Sequence, residues 1–173
     1  MSLGAEDLRH LRRCVELARE ALEAGDEPFG SVLVDGDGVV RHEDRNRTAG
    51  RAGQWGDQTR HPEFELARWS ATAMTPAERA ASTVYTSGEH CPMCSAAHAW
   101  VGLARIVYAG STEQYVRWRA EAGLTDPSPV NPLPVQAIAP YVLVDGPAPE
   151  LAEELRELHL RNLRNLGRRR PAG

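Results

Sequence analysis

Thr83-Val84-Tyr85-Thr86-Ser87-Gly88-Glu89-His90-Cys91-Pro92-Met93-Cys94 is the stretch on which the fold turns. Its first four residues are β-branched or aromatic and read as a short strand. From Cys91 onward the pattern is helical, with Met93, Ala97, Trp100 and Val101 as the apolar face. The Cys-x-x-Cys pair therefore stands at a helix start, where the helix dipole and free N–H groups favour thiolates. Spacing alone leaves two uses open: a thioredoxin-like redox pair, or half of a structural zinc site.

On the N-terminal side, Leu8, Leu11, Val15, Ala18 and Leu22 recur at steps of three and four, so Glu6 to Ala24 reads as a helix ended by Gly25. Cys14 shares that stripe and is expected to be a small core residue rather than a reactive one. Phe29 to Asp35 is an apolar strand, and the turn Asp35-Gly36-Asp37-Gly38 leads back through Val39 and Val40 as a hairpin. Arg47 to Arg60, with Trp55 in its middle, is too long for a tight connection and is expected to line or cover a site. His61-Pro62 opens the next helix, with Phe64, Ala67, Ala71 and Met74 inward and an end before Pro76.

On the C-terminal side, Arg105 to Ala109 is a strand, and Ser111 with Gln114 three residues on forms a capping box for the helix that follows. Pro127 to Pro134 is a proline-rich loop. Tyr141 to Val144 reads as a last strand, and Glu150 to Leu166 as an amphipathic helix with Leu151, Leu155 and Leu158 inward. Helix, hairpin, then alternating helix and strand predicts an α/β fold: a three-layer α/β/α sandwich around a central mixed five-stranded sheet. At 173 residues this is expected to be one domain, 1–173, with a flexible tail from about 168.

The net charge of −4 gives no global field to attract a polyanion. Nucleic acid is not expected as a partner. Met1 to Leu11 is charged, and no apolar run approaches a membrane span, so the expectation is a cytoplasmic protein without membrane association.

A structural zinc site takes four protein ligands, yet the one other cysteine is Cys14, and no second Cys-x-x-Cys or paired-histidine motif is present. The site reads as three-liganded and open. Candidates for the third ligand are His61, His90 and His98. His98 follows Cys94 by four residues, which also suits an ordinary helix-face histidine; His90 adjoins Cys91, a poor spacing for chelation. His61 differs because Glu63 follows two residues later at the start of a helix. A ligand and a carboxylate at one helix start, with two thiolates at another, suit metal-assisted hydrolysis if the helices are adjacent.

His61-Pro62-Glu63 followed by Cys91-Pro92-Met93-Cys94 resembles the cytidine deaminase-like superfamily, whose zinc signature is H-x-E and then P-C-x-x-C. The similarity runs from Glu27-Pro28-Phe29-Gly30 through Asn46 to Arg105-Ile106-Val107-Tyr108. It departs at His90, which stands where the family usually has proline. The resemblance implies Zn2+ on His61, Cys91 and Cys94, with Glu63 as the proton carrier of a hydrolytic deamination. It also implies that Asn46 hydrogen-bonds the substrate and that Phe29 stacks near its ring. By residue type alone, those two read as a strand-end turn residue and a core aromatic.

Pro28-Phe29-Gly30 is similar to the guanine and small-base deaminases, whereas tRNA enzymes tend to carry a smaller aliphatic residue where Phe29 stands. The resemblance thus implies a small-molecule base or nucleoside as substrate, with guanine or a related aminopurine or aminotriazine first and tRNA adenosine as the alternative. A non-catalytic zinc module is the rival from another class, and for it Glu63 would be dispensable. The resemblance also implies a homodimer, for which Trp55, Trp118 and the last helix are the expected apolar surface.

Overall fold

The computed structural model describes residues 3–50 and 53–169, the side chains of 166–169 excepted. Helix α1 (Ala5–Glu23) opens the chain, and the hairpin of β1 (Gly30–Val34) and β2 (Val40–Arg45) follows. Asp35 closes that hairpin, its Oδ1 accepting from the N–H groups of Asp37 at 3.0 Å and Val39 at 2.9 Å. Next come α2 (Pro62–Ala73), the short α3 (Pro76–Ala80), β3 (Thr83–Gly88), α4 (Pro92–Val101), β4 (Arg105–Gly110) and α5 (Thr112–Glu121). A four-residue helix α6 (Val135–Ile138), β5 (Leu143–Asp145), a 3-10 turn at Pro149–Leu151 and α7 (Ala152–Arg169) complete it.

The sheet order is β2-β1-β3-β4-β5. The first three strands pair antiparallel, and β3, β4 and β5 run parallel, which makes the five-stranded sheet mixed as expected. Strand alternation sorts the core into layers. Val32, Val34, Tyr85, Val107 and Ala109 join α1, α7 and Trp118 on one face. Leu33 and Val84 point the other way, against Leu66, Ala67 and Met74 of the α2 region and Ala97 of α4. Ile106 meets Val135 and Ala139 on the same side as α4 and α6.

Two close approaches set the site's geometry. A Cβ on Gly30 would fall 2.6 Å from the Cys14 carbonyl oxygen and 2.4 Å from Leu17 Cβ, so only glycine lets α1 lie this close to β1. A Cβ on Gly88 would fall 2.7 Å from the Phe29 ring, so the end of β3 is shaped around that ring.

Several local expectations are corrected. Ala71 is exposed and Leu66 takes its place inward, because the face of α2 that meets the sheet is rotated by about one residue. Trp100 is 87% exposed rather than on the inner face of α4. Trp118 is 7% exposed and packs in the core, so it offers no surface for association. Tyr141 lies in a turn before β5 and is exposed. Helix α2 ends before Pro76 as expected, Pro76 opens the short α3, and α6 starts directly after Pro134. Helix α7 continues through Arg169, and the remainder of the expected tail, 170–173, lies outside the described residues. Among the described residues no helix is long and apolar enough to cross a membrane.

Candidate metal and active site

Helices α2 and α4 pack side by side, and each begins with proline at its first position. His61 is the N-cap of α2 and Cys91 the N-cap of α4, both in extended conformation, so both project from adjacent helix starts. Cys94 lies one turn into α4, on the same side as Cys91. The three donor atoms converge. Cys91 Sγ is 3.5 Å from His61 Nδ1 and 3.4 Å from Cys94 Sγ, and Cys94 Sγ is 3.6 Å from His61 Nδ1.

These spacings can be tested against a zinc ion. Tetrahedral Zn–S bonds of about 2.3 Å and Zn–N bonds of about 2.0–2.1 Å place two sulfurs about 3.8 Å apart, and a nitrogen and a sulfur about 3.6 Å apart. The donor set and its separations fit that ion. His61, Cys91 and Cys94 are also the one group of three or more such side chains, among the described residues, whose ligand atoms fall within 4.8 Å of one another.

Glu63 is buried on the first turn of α2, its Oε2 3.9 Å from Cys94 Sγ. Its Oε1 accepts from Thr86 Oγ1 at 2.8 Å. Burial pushes the Glu63 carboxyl above its ordinary range, against the pull of His61 and the Thr86 bond. The two thiols titrate as a pair: the contact with Cys94 draws Cys91 down to about 4, and the same contact, with burial, drives Cys94 up. Burial opposes charge on His61, but the neighbouring Cys91 and Glu63 hold its pKa up, at about 9.

His90 and His98, the other ligand candidates, stay out of the cluster. Both are 1% exposed, their rings 5.4 Å apart edge to face, and no ring nitrogen of either has a hydrogen-bond partner among the described residues. Burial holds both well down as neutral imidazoles, His98 at about 4. His90 therefore packs as a core residue behind the ligand turn. Glu89 beside it is also structural, accepting from the backbone N–H groups of Thr112 at 2.9 Å and Val135 at 3.0 Å and so tying α5 and α6 to the turn.

Asn46 and Phe29 are joined through the backbone, the Asn46 N–H donating to the Phe29 carbonyl at 2.9 Å. Asn46 is 1% exposed; its Nδ2 donates to Thr48 Oγ1 at 3.3 Å, and its Oδ1 has no partner among the described residues. The Phe29 ring packs 5.0 Å from His159 of α7 and 5.9 Å from Tyr115 of α5. Thr86, Tyr115 and His159 were not singled out by sequence, since a threonine in a strand, a tyrosine in a helix and a histidine on a leucine stripe carry no local signal. Trp55, in the long loop, is 99% exposed and covers nothing.

The family model for the cytidine and deoxycytidylate deaminase zinc-binding region matches residues 5–110. A protein described as a probable cytosine deaminase of Schizosaccharomyces pombe is 29% identical over 149 residues, covering 81% of this chain and 87% of that protein. The guanine deaminase of Bacillus subtilis is 32% identical over 117 residues, covering 67% of this chain and 69% of that protein. Among solved structures, a guanine deaminase from Nitrosomonas europaea shares the fold with a TM-score of 0.61 at 22% identity, over 95% of this chain and 87% of that one. With its matched span containing both helix starts and all three donor side chains, the chain belongs to the cytidine and deoxycytidylate deaminase family.

Proposed function

We propose that this chain is a zinc-dependent hydrolytic deaminase of a free aminated base or nucleoside, with guanine or a related aminopurine or aminotriazine first in rank. The observation that carries it is the convergence of His61, Cys91 and Cys94 with a buried carboxyl, Glu63, beside them. The rival non-catalytic zinc module gives no reason for Glu63 to be buried and held by Thr86. The small-molecule ranking draws support from relatives described as cytosine and guanine deaminases, and from the net charge of −4.

His61, Cys91 and Cys94 would hold the zinc, which when bound supplies Lewis-acid activation of water, bringing its pKa to about 7. Glu63 takes one water proton on a carboxylate oxygen and delivers it to the ring nitrogen, then takes the second from the added hydroxyl and delivers it to the departing amine. Water adds, ammonia leaves and a ring carbonyl remains. Burial, which raises the Glu63 carboxyl above its ordinary range, suits a group that must both accept and release a proton. Asn46 Oδ1 is left to accept from a ring N–H or amino group, and Phe29 to pack against the ring.

The chain acts as a single domain and, in this reading, as a homodimer. With Trp118 buried, Trp55 and Trp100 are the exposed tryptophans left for pairing. Ammonia release by the zinc-loaded protein from guanine, aminopurines, aminotriazines, cytosine and nucleosides tests the substrate class. Turnover of at least one free base or nucleoside is expected; inosine formation in a tRNA stem-loop, with none of them deaminated, would overturn it.

A further inference from the structure

Gly88 is the last residue of β3, and its carbonyl lies 3.0 Å from the Thr86 hydroxyl. The same hydroxyl donates to Glu63 Oε1 at 2.8 Å, so Gly88 stands one side chain away from the buried carboxyl. Its other neighbour is an aromatic ring. A Cβ on Gly88 would fall 2.7 Å from Phe29 Cε1 and 3.0 Å from Phe29 Cδ1, and, its chain neighbours aside, no other atom among the described residues would lie within 4 Å of it. The hollow over Gly88 is filled by that ring alone.

The backbone that carries the ring is pinned on both sides. The Phe29 carbonyl accepts from the Asn46 N–H at 2.9 Å, and the Gly30 N–H donates to Ser87 Oγ at 3.1 Å. The ring itself packs 5.0 Å from His159, which is 2% exposed, and 5.9 Å from Tyr115. Asn46, bonded to Phe29, presents an Oδ1 that is buried without a partner among the described residues. Phe29 therefore stands between the Thr86–Glu63 pair and an unused acceptor, and it is half-buried, so one side of it is open. Ordinary carbon–carbon contact is about 3.5–4.0 Å, so a methyl group on residue 88 requires the ring to move by about 1 Å. With the backbone fixed and His159 and Tyr115 packed against the ring, the movement left is toward the open side.

We infer that Gly88 is a positioning residue that sets substrate size: by leaving a hollow for the Phe29 ring, it keeps the site wide enough for a two-ring base. The inference rests on the deaminase reading above. A side chain in place of Gly88 advances the ring and narrows the site, and a one-ring base loses less by that than a two-ring base does. A fit difference of one methyl group in an apolar pocket discriminates between substrates by about 10- to 200-fold.

The test compares the zinc-loaded parent with Gly88→Ala, Phe29→Leu and the double variant, by ammonia release from two-ring bases (guanine and aminopurines) and one-ring bases (cytosine and aminotriazines). Gly88→Ala should lower the ratio of two-ring to one-ring kcat/KM by about 10-fold or more, mainly through KM on the two-ring bases. Zinc content should be unchanged. Phe29→Leu removes the ring carbons that the added methyl group meets, so the double variant should regain most of the parent's ratio, and Phe29→Leu alone should show no shift toward one-ring bases. Equal losses on both classes, no recovery in the double variant, or a Gly88→Ala chain that folds only with Phe29→Leu beside it would overturn the inference while leaving the deaminase reading intact. A parent that deaminates one-ring bases alone would do the same. A parent that releases ammonia from no base or nucleoside would overturn that reading, and the role of Gly88 with it.

Discussion

Thr86 Oγ1 donates to Glu63 Oε1 across 2.8 Å, and Ser31 Oγ donates to Thr86 Oγ1 at 3.0 Å. A short chain of hydroxyls therefore runs from β1 through β3 to the carboxyl on α2. The Gly88 carbonyl lies 3.0 Å from the same Thr86 oxygen and competes for its single proton. Thr86 thus acts as a positioning residue, fixing the rotamer of a carboxyl on a different element.

Thr86→Val keeps the β-branched shape and removes the donor. A hydrogen bond to a carboxylate contributes about 1.5–3 kcal/mol. The expected outcome is a drop in kcat of about 10- to 100-fold with zinc content unchanged and KM little affected. Metal analysis beside steady-state kinetics checks it; a variant that loses zinc would assign Thr86 to the fold of the ligand turn instead.

His61→Ala, Cys91→Ala and Cys94→Ala should each lose zinc and activity together, since three ligands leave no redundancy. His90→Ala and His98→Leu should keep one zinc per chain. His98→Leu should also be neutral or stabilising, because it removes two buried nitrogens that have no partner among the described residues. Full metal occupancy in His61→Ala would remove it from the ligand set.

The pH dependence of stability has a source far from the ligands. His159 is buried among Phe29, Tyr115 and Trp118, and burial lowers its pKa from 6.5 to about 3. In the fold it stays neutral, whereas the unfolded chain takes up a proton below 6.5. The unfolded state then binds more protons, so stability is full above about 6.5 and is lost as pH falls from there toward the folded value. His159→Phe, which keeps an aromatic ring but cannot titrate, should show a shallower fall in melting temperature between pH 6.5 and 4. Parallel profiles for the two proteins would contradict this.

The convergence of His61, Cys91 and Cys94 was legible because each half of the group sits at a helix start with its own punctuation. Pro62 and Pro92 mark the first turns, and the spacing of His61 to Glu63 and Cys91 to Cys94 does the rest. The Ser111–Gln114 capping box was legible for the same reason, both of its bonds forming at 3.1 and 2.7 Å. Periodicity failed where a helix has two apolar stripes to choose from: Trp100 and Ala71 fit a spacing rule but face outward. Partners that lie across the fold left no trace in the sequence. Thr86 is 23 residues from Glu63 and on a different element.

The most direct test of the central claim is the turnover and zinc content of Glu63→Gln against the parent, on whichever base the parent deaminates. Gln preserves the shape and the Thr86 hydrogen bond but cannot carry the proton, a role that contributes about 10²–10⁴ in rate. The account predicts one zinc per chain, near-parental substrate affinity and a kcat reduced by at least about 100-fold. Turnover within about tenfold of the parent would contradict Glu63 as the proton carrier, and with it the mechanism.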